Sequence, residues 1–452
     1  YNVFDLSVDG IPLWEQIRFG VARKIAQAQG QGQAHSTVSG VTAYVRGLSL
    51  WLRNFIQKNP YLADEHEFLF VGHPRRKLEA DGHWWDIYCD PIYQQADIDY
   101  IHTESPYLLS HRVPPQTNNI RYLDLIQFTG TLQRKLGLRS PSLPEKTQQR
   151  ITAIEAEIAQ RFSVTVDVES MIRNRLHVRR TTLPLYTRLL DRIAPDVVVV
   201  VVSYGKEIFI EACKQQDIPV VELQHGVIYD QHFGYSYPEE ATKVMSPDYL
   251  FTFGEFWNQN ARFPIAEDRV IPVGYPYLDQ QLNKYNNVSR SEQLIFISQG
   301  TVGRELSQLA VAVADDDRIT HQVIYKLHPG EYDRWQEAYP WLIDSRVRVI
   351  AEPEPPLYQL LASSTAQVGV GSTAVYEGLC FELETYVYDT DGAEVLLPLV
   401  EQGVASLIET KDELVSSLKG ERTTEFDRAP YFKPNAIENA VAALERVQQE
   451  NC

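Results

Sequence analysis

The segment Gly369-Val370-Gly371-Ser372-Thr373-Ala374-Val375-Tyr376-Glu377 runs from an apolar stretch through small residues into a helical pattern. Such a junction suits a diphosphate. Amides at a helix N-terminus and the positive end of its dipole attract an anion, Ser372 and Thr373 add hydroxyls, and glycines, Gly371 above all, permit close approach. Glu377 follows about one turn later, where its carboxylate can accept from ribose hydroxyls. The plainer alternative is that Ser372 or Thr373 simply caps a helix. A second candidate is Lys326-Leu327-His328-Pro329-Gly330-Glu331, where Pro329 stops a strand just as His328 emerges. An imidazole there can donate to a phosphate, with Lys326 as an added cation if the strand's alternation holds. A turn histidine satisfied by a carbonyl is the competing account. The third is Glu222-Leu223-Gln224-His225-Gly226, again after an apolar run. Here His225 is the candidate general base, with Glu222 or another carboxylate holding its tautomer, against the alternative of a structural histidine.

Position at strand ends gives these residues their meaning, and the surrounding pattern supplies strands. Short β-branched runs at 67–72, 86–89 and 97–102 open the chain, and 196–202, a helical stretch 206–216 and 218–223 form a compact strand–helix–strand unit. A second series follows at 294–298, 322–327, 347–350, 366–370 and 385–388. Alternation of this kind predicts parallel sheets covered on both faces. Val273-Gly274-Tyr275-Pro276-Tyr277 reads as a turn or linker between the two series. The expected domains are therefore 1–272, with a helical insertion around 107–190, and 273–452.

Length and composition agree. The 452 residues exceed one core, and 44% hydrophobic with 23% charged residues is ordinary for a folded protein. A formal charge of −18 argues against a nucleic-acid binder. The basic stretch from Arg173 to Arg180 reads first as a solvated helix face and second as a contact for anionic lipid or phosphate. Four dispersed cysteines signal neither a disulfide framework nor a zinc site, and a reducing, cytoplasmic setting is expected, with peripheral placement at the inner face of the membrane as a variant. No apolar run reaches membrane-spanning length. No nucleophile elbow, P-loop or dinucleotide fingerprint is found, and neither a metal nor a cofactor is expected.

Taken in order, Glu222–Gly226 (ELQHG), 274–279 (GYPYLD), 326–329 (KLHP), 356–361 (PLYQLL) and 371–377 (GSTAVYE) resemble the GT-B transferases that build bacterial and archaeal surface polymers. That group includes CDP-glycerol glycerophosphotransferases, polysialyltransferases and capsular Kdo transferases. The resemblance spans about residues 196–390 and implies an α/β GT-B fold, two Rossmann-like domains whose parallel sheets face each other across a cleft. It also implies that His328, Ser372 and Thr373 bind the donor's phosphates and that His225 lies near the acceptor. Where those glycerophosphotransferases carry Asp-Tyr-Ser-Ser, this chain has Gly369-Val370-Gly371-Ser372-Thr373, which favours sugar over glycerol phosphate. The expected activity is inverting, metal-independent transfer from a CMP-, CDP- or UDP-linked sugar to a glycan or lipid-linked acceptor in capsule or other surface polysaccharide synthesis. Two alternatives accompany it: a non-hydrolysing UDP-sugar 2-epimerase and a non-catalytic nucleotide-sugar or glycan-binding subunit.

Overall fold

The computed structural model describes residues 2–29, 40–74, 76–238, 241, 243–418 and 426–451. It divides into two compact units, Tyr1–Pro276 with Asn435–Cys452, and Tyr277–Pro434. The sequence reading divides the chain at 272/273; here the first unit runs to Pro276 and also takes the last helix, Ala436–Asn451.

Unit 1 is built on seven parallel strands: β1 (Phe68–Val71), β2 (Tyr100–Glu104), β3 (Ile120–Tyr122), β4 (Val197–Val201), β5 (Val220–Leu223), β6 (Tyr249–Thr252) and β7 (Val270–Pro272), in the order β7-β6-β5-β4-β1-β2-β3. The strand β4 is five consecutive valines, all buried. Because side chains alternate, Val197, Val199 and Val201 enter one core and Val198 and Val200 the other, so both faces need an apolar residue at every position. One face is covered by Ala440, Ala443, Leu444 and Val447 of the last helix.

The helices of unit 1 used below are α1 (Leu13–Ala28), α2 (Gly40–Asn54), α3 (Asp124–Lys135), α4 (Glu145–Phe162), α5 (Val168–Ile193) and α6 (Glu207–Lys214). On the other face of the sheet, Leu189, Leu190 and Ile193 of α5 pack with Phe209 and Ile210 of α6. A third core joins α1, α4 and α5 through residues such as Ile17, Ile154 and Ile172.

Unit 2 carries six parallel strands, β8 (Gln293–Ile297), β9 (Gln322–Lys326), β10 (Arg348–Ile350), β11 (Ala366–Gly369), β12 (Glu384–Tyr388) and β13 (Ser406–Ile408), in the order β10-β9-β8-β11-β12-β13. Its helices include α7 (Gly303–Ala314), α8 (Leu357–Ser363) and α9 (Thr373–Leu379).

Two sequence expectations change. Residues 86–89 form a turn leading into the helix Asp90–Gln95 rather than a strand, because Asp86 accepts from the amides of Tyr88 and Cys89 and holds the backbone in a turn. The basic stretch 173–180 lies inside α5, where Arg175 pairs with Glu207 at 2.5 Å and Arg179 forks onto Glu211. Those two charges are matched within the protein.

Candidate functional site

In a parallel sheet, ligands bind beyond the carboxyl ends of the strands, at the point where strand order reverses. In unit 1 that point lies between β4 and β1. Just past β4, Val202 takes φ +66°, a left-handed conformation that costs a β-branched residue about 1–3 kcal/mol. Its carbonyl accepts from the Lys206 amine at 2.7 Å, and Val201 does the same, so the turn is held from below. Burial lowers the Lys206 amine to about 8. The chain then presents Ser203 and Tyr204, and the Ser203 amide donates to Glu222 Oε1 at 2.9 Å.

Glu222 is the third residue of β5 and buried, so its side chain reaches a neighbouring loop rather than solvent. It does not touch His225 directly. Tyr235 stands between them: its hydroxyl donates to Glu222 Oε1 at 3.1 Å and lies 3.0 Å from His225 Nδ1. Burial, and then Glu222, push the Tyr235 hydroxyl well up, so it keeps its proton. With that proton given to Glu222, the Tyr235 oxygen accepts from Nδ1–H, and His225 Nε2 becomes the basic nitrogen, 3.2 Å from the Tyr204 hydroxyl. Tyr88 donates to the His225 carbonyl at 2.8 Å, and the His73 ring stacks on His225 at 6.4 Å. Half-buried His225 thus sits in an aromatic cage assembled from the ends of β1, β4 and β5.

Behind the cage lies a buried charged network. Arg76 donates from Nε to Glu104 at 2.6 Å, from one terminal nitrogen to Asp90 at 3.3 Å, and from the other to His102 Nε2 at 2.9 Å. Asp86 accepts from the His73 amide at 2.7 Å and so fixes the loop that carries that ring. Asp86, Cys89 and His102 lie close enough to suggest a metal site, their ligand atoms within 4.8 Å of one another. The hydrogen bonds argue otherwise: His102 Nε2 receives Arg76 and its Nδ1 faces the Tyr93 hydroxyl at 3.2 Å, so both ring nitrogens are engaged beside a guanidinium. Burial, with Arg76 adding to it, holds His102 down at about 3, and burial raises Asp90 to about 7 despite Arg76.

That neutral imidazole has a measurable signature. An unfolded histidine takes a proton below its ordinary value near 6.5, whereas His102 in the folded state takes one only near 3. Acid therefore favours the unfolded chain through this group, by about 1.4 kcal/mol per pH unit across that window. His102→Gln removes the effect. Urea unfolding at pH 6.5, 5 and 4 is expected to show the variant gaining stability relative to the parent as pH falls; parallel curves would refute a neutral His102.

In unit 2 the order reverses between β8 and β11. Register aligns Tyr325, Phe296 and Val368 across β9, β8 and β11. His328, Gln299 and Gly371 therefore each lie three residues past one shared row, at the carboxyl ends of three adjacent strands. Gly371 donates its amide to Gln299 Oε1 at 2.9 Å, and a Cβ at Gly371 would come within 2.7 Å of the Gly392 carbonyl oxygen, so only glycine fits without moving backbone. Ser372 caps α9, its hydroxyl accepting from the Ala374 amide at 3.2 Å, and half-buried Thr373 opens the helix. Glu377 is buried farther along α9.

His328 is itself a cap: Nδ1 accepts from the Gly330 amide at 3.1 Å, while Glu331 accepts from the His328 amide at 2.9 Å. A neutral imidazole accepting at Nδ1 carries its proton on Nε2, which makes His328 an Nε2–H donor. Lys326 is buried, with its amine donating to the Glu352 carbonyl at 2.5 Å beside the Tyr332 ring. The sequence also carries an Asp-x-Asp pair that the expectation of metal-free chemistry overlooks. Asp389 and Asp391 follow β12 and are exposed, directly before Gly392.

Of the residues singled out in the sequence, Glu222 and His225 share Tyr235 as a hydrogen-bond partner in unit 1, and His328, Gly371 and Ser372 lie just past strand ends in unit 2, whereas nothing in the sequence reading points to Tyr235, Tyr204, Tyr88, His73 or Gln299. These lie in loops with no motif of their own; the available signal is only that each, Tyr235 apart, follows a strand within a few residues, in the case of Tyr88 the two-residue strand Trp84–Trp85.

No protein-family model matches the chain, and no curated protein does. Among solved structures it is similar to the UDP-GlcNAc 2-epimerase of Methanocaldococcus jannaschii, with 15% identity and a TM-score of 0.50 over 84% of this chain and 99% of that one. It is also similar to the UDP-GlcNAc 2-epimerase of Neisseria meningitidis bound to UDP-GlcNAc, at 14% identity and TM-score 0.48 over 84% and 99%. The wall teichoic acid polymerase TagF matches at 10% identity and TM-score 0.43 over 91% and 99%. Identities this low speak for fold alone. With the seven- and six-stranded parallel sheets, the first of these likenesses identifies the architecture as the GT-B fold, two Rossmann-like domains in one chain.

Proposed function

We propose that this protein is an inverting glycosyltransferase, moving a sugar from a CMP-, CDP- or UDP-linked donor held by unit 2 to a hydroxyl of a glycan or lipid-linked acceptor held by unit 1. The observation that carries the reading is the Glu222–Tyr235–His225 chain, which leaves a basic Nε2 at the carboxyl ends of the strands. That nitrogen takes the acceptor hydroxyl's proton as the oxygen attacks the anomeric carbon. The departing nucleotide's charge is met by the His328 Nε2–H and by the Ser372 and Thr373 hydroxyls, with Gly371 allowing close approach. Glu377 accepts from the ribose, and Lys326 holds the end of β9.

Product analysis separates the readings. Transfer only when an acceptor is added, at a rate unaffected by EDTA, supports this one. An epimerised nucleotide sugar formed from donor alone replaces it with epimerisation, and no turnover of either kind leaves a binding subunit. Loss of turnover in EDTA overturns metal independence and makes Asp389 and Asp391 the first ligands to test. For the donor site, His328→Ala is expected to weaken binding of the donor's nucleotide by about tenfold or more, the value of a hydrogen bond to a charged group. Calorimetric titration with CMP, CDP and UDP checks this, and unchanged affinity for all three removes His328 from the phosphate.

A further inference from the structure

The helix α2 is amphipathic with its apolar side turned outward. Val41, Tyr44, Val45, Leu48, Leu52 and Ile56 follow helical spacing, the last just beyond the helix, yet are 54% to 84% exposed. The helix is anchored by its other side, where Gly47 lies so close to α3 that a Cβ would fall 2.7 Å from Phe128, and Trp51 donates to Thr129 at 2.9 Å. Leu132 of α3 and Leu136 and Leu138 beyond it extend the apolar surface. A cavity of about 390 Å³ opens into it, lined by Trp51, Phe128, Leu108 and Leu109 among others. An exposed patch of this extent marks an interaction site.

Two further observations name the partner. In segments 40–58, 105–113 and 125–139 there are seven Lys or Arg (Arg46, Arg53, Lys58, Arg112, Arg134, Lys135 and Arg139) and no Asp or Glu, in a chain of net charge −18. The flanking Glu104 and Asp124 are buried against His111. Among the described residues none of the seven pairs with a carboxylate. The second observation is a two-residue hairpin, closed by Tyr107 and Ser110, whose tip is Leu108 and Leu109 at φ +50° and +56°. Turns of this kind ordinarily take Asn and Gly, so two leucines hold a strained conformation that presents apolar side chains at a tip.

We propose that the face formed by α2, α3 and the 107–110 hairpin docks onto an anionic lipid surface, its apolar stripe entering the headgroup boundary and its exposed cations, Arg46, Arg53 and Lys135 among them, meeting lipid phosphates. This goes beyond the transfer reading and is tested without turnover. The full chain is floated with vesicles of phosphatidylcholine alone and of phosphatidylcholine mixed with phosphatidylglycerol. Binding to the mixed vesicles is expected, falling about tenfold or more in Arg46→Glu/Arg53→Glu and lost in Leu48→Glu/Leu52→Glu, all exposed or half-exposed positions. Leu108→Asn/Leu109→Gly is expected to weaken flotation while thermal stability holds or rises, a combination that a structural role for the leucines does not produce. No flotation with mixed vesicles, equal binding to both kinds, or patch variants that float like the parent would overturn the proposal. A dimer in solution that Leu48→Glu dissociates, without flotation, would assign the face to a second copy of the chain.

Discussion

His225→Ala is expected to lower the transfer rate by about 10²- to 10⁴-fold, the usual contribution of a positioned acid–base group, while nucleotide affinity stays within about twofold. The separation follows from location. His225, Tyr235, Tyr204 and Glu222 all belong to unit 1, and the residues assigned to the nucleotide all belong to unit 2. Tyr235→Phe provides an internal scale. It keeps the ring that packs beside His225 but removes the hydroxyl joining it to Glu222, so Nδ1–H loses its acceptor and Glu222 loses a donor. A smaller loss than in His225→Ala is expected, together with a displaced pH optimum. Single-turnover measurement with saturating donor and acceptor is the check. If His225→Ala keeps more than about a tenth of the parent rate, the base is another group; if it also loses nucleotide binding, the change has disturbed more than the proton transfer.

Sheets were legible in this sequence and the buried polar structure was not, for a physical reason. The central strands are continuous apolar runs, and β4, with five valines in a row, can be little else than a strand buried on both faces. Most of what was missed among the strands lies at sheet edges, as with the three-residue β3, β7 and β13, whose short length carries no periodicity. The site divides in the same way. His225 and His328 stand next to strand ends and can be found from local pattern, whereas Tyr235 meets Glu222 across thirteen positions and Tyr88 meets His225 across 137. Composition and spacing carry no information about such pairs. The outward face of α2 is not legible for another reason: periodicity reports that a helix is amphipathic but not which way its apolar side turns. Likewise the Arg173 to Arg180 cluster stands out in an acidic chain, yet Glu207 and Glu211 on α6 neutralise its centre, while Arg46 and Arg53 of α2 pair with no carboxylate among the described residues.

The largest expected loss of stability comes from Arg76→Met. Methionine matches much of the volume of the arginine stem, so the change tests charge and hydrogen bonding more than packing. Without the guanidinium, Glu104 and Asp90 remain buried with one donor fewer each, and His102 Nε2 faces an apolar chain instead of an N–H. Removing one partner of a buried ionic cluster typically costs about 3–5 kcal/mol, because the remaining charges stay desolvated. Some of that is recoverable: adding Glu104→Gln and Asp90→Asn neutralises what Arg76 leaves behind and is expected to restore part of the loss. Urea unfolding of the three proteins decides the matter, and a single variant within about 1 kcal/mol of the parent would mean that the network's attraction and its desolvation cancel. The effect should also reach the candidate site. Asp86 and Asp90 bind the loop amides that set His73 and Tyr88 in place, and those two side chains hold the ring and the backbone of His225. Turnover in Arg76→Met is therefore expected to fall even at temperatures where the protein remains folded, and the triple variant, which recovers stability without restoring the donor array, is expected to recover turnover less than it recovers stability.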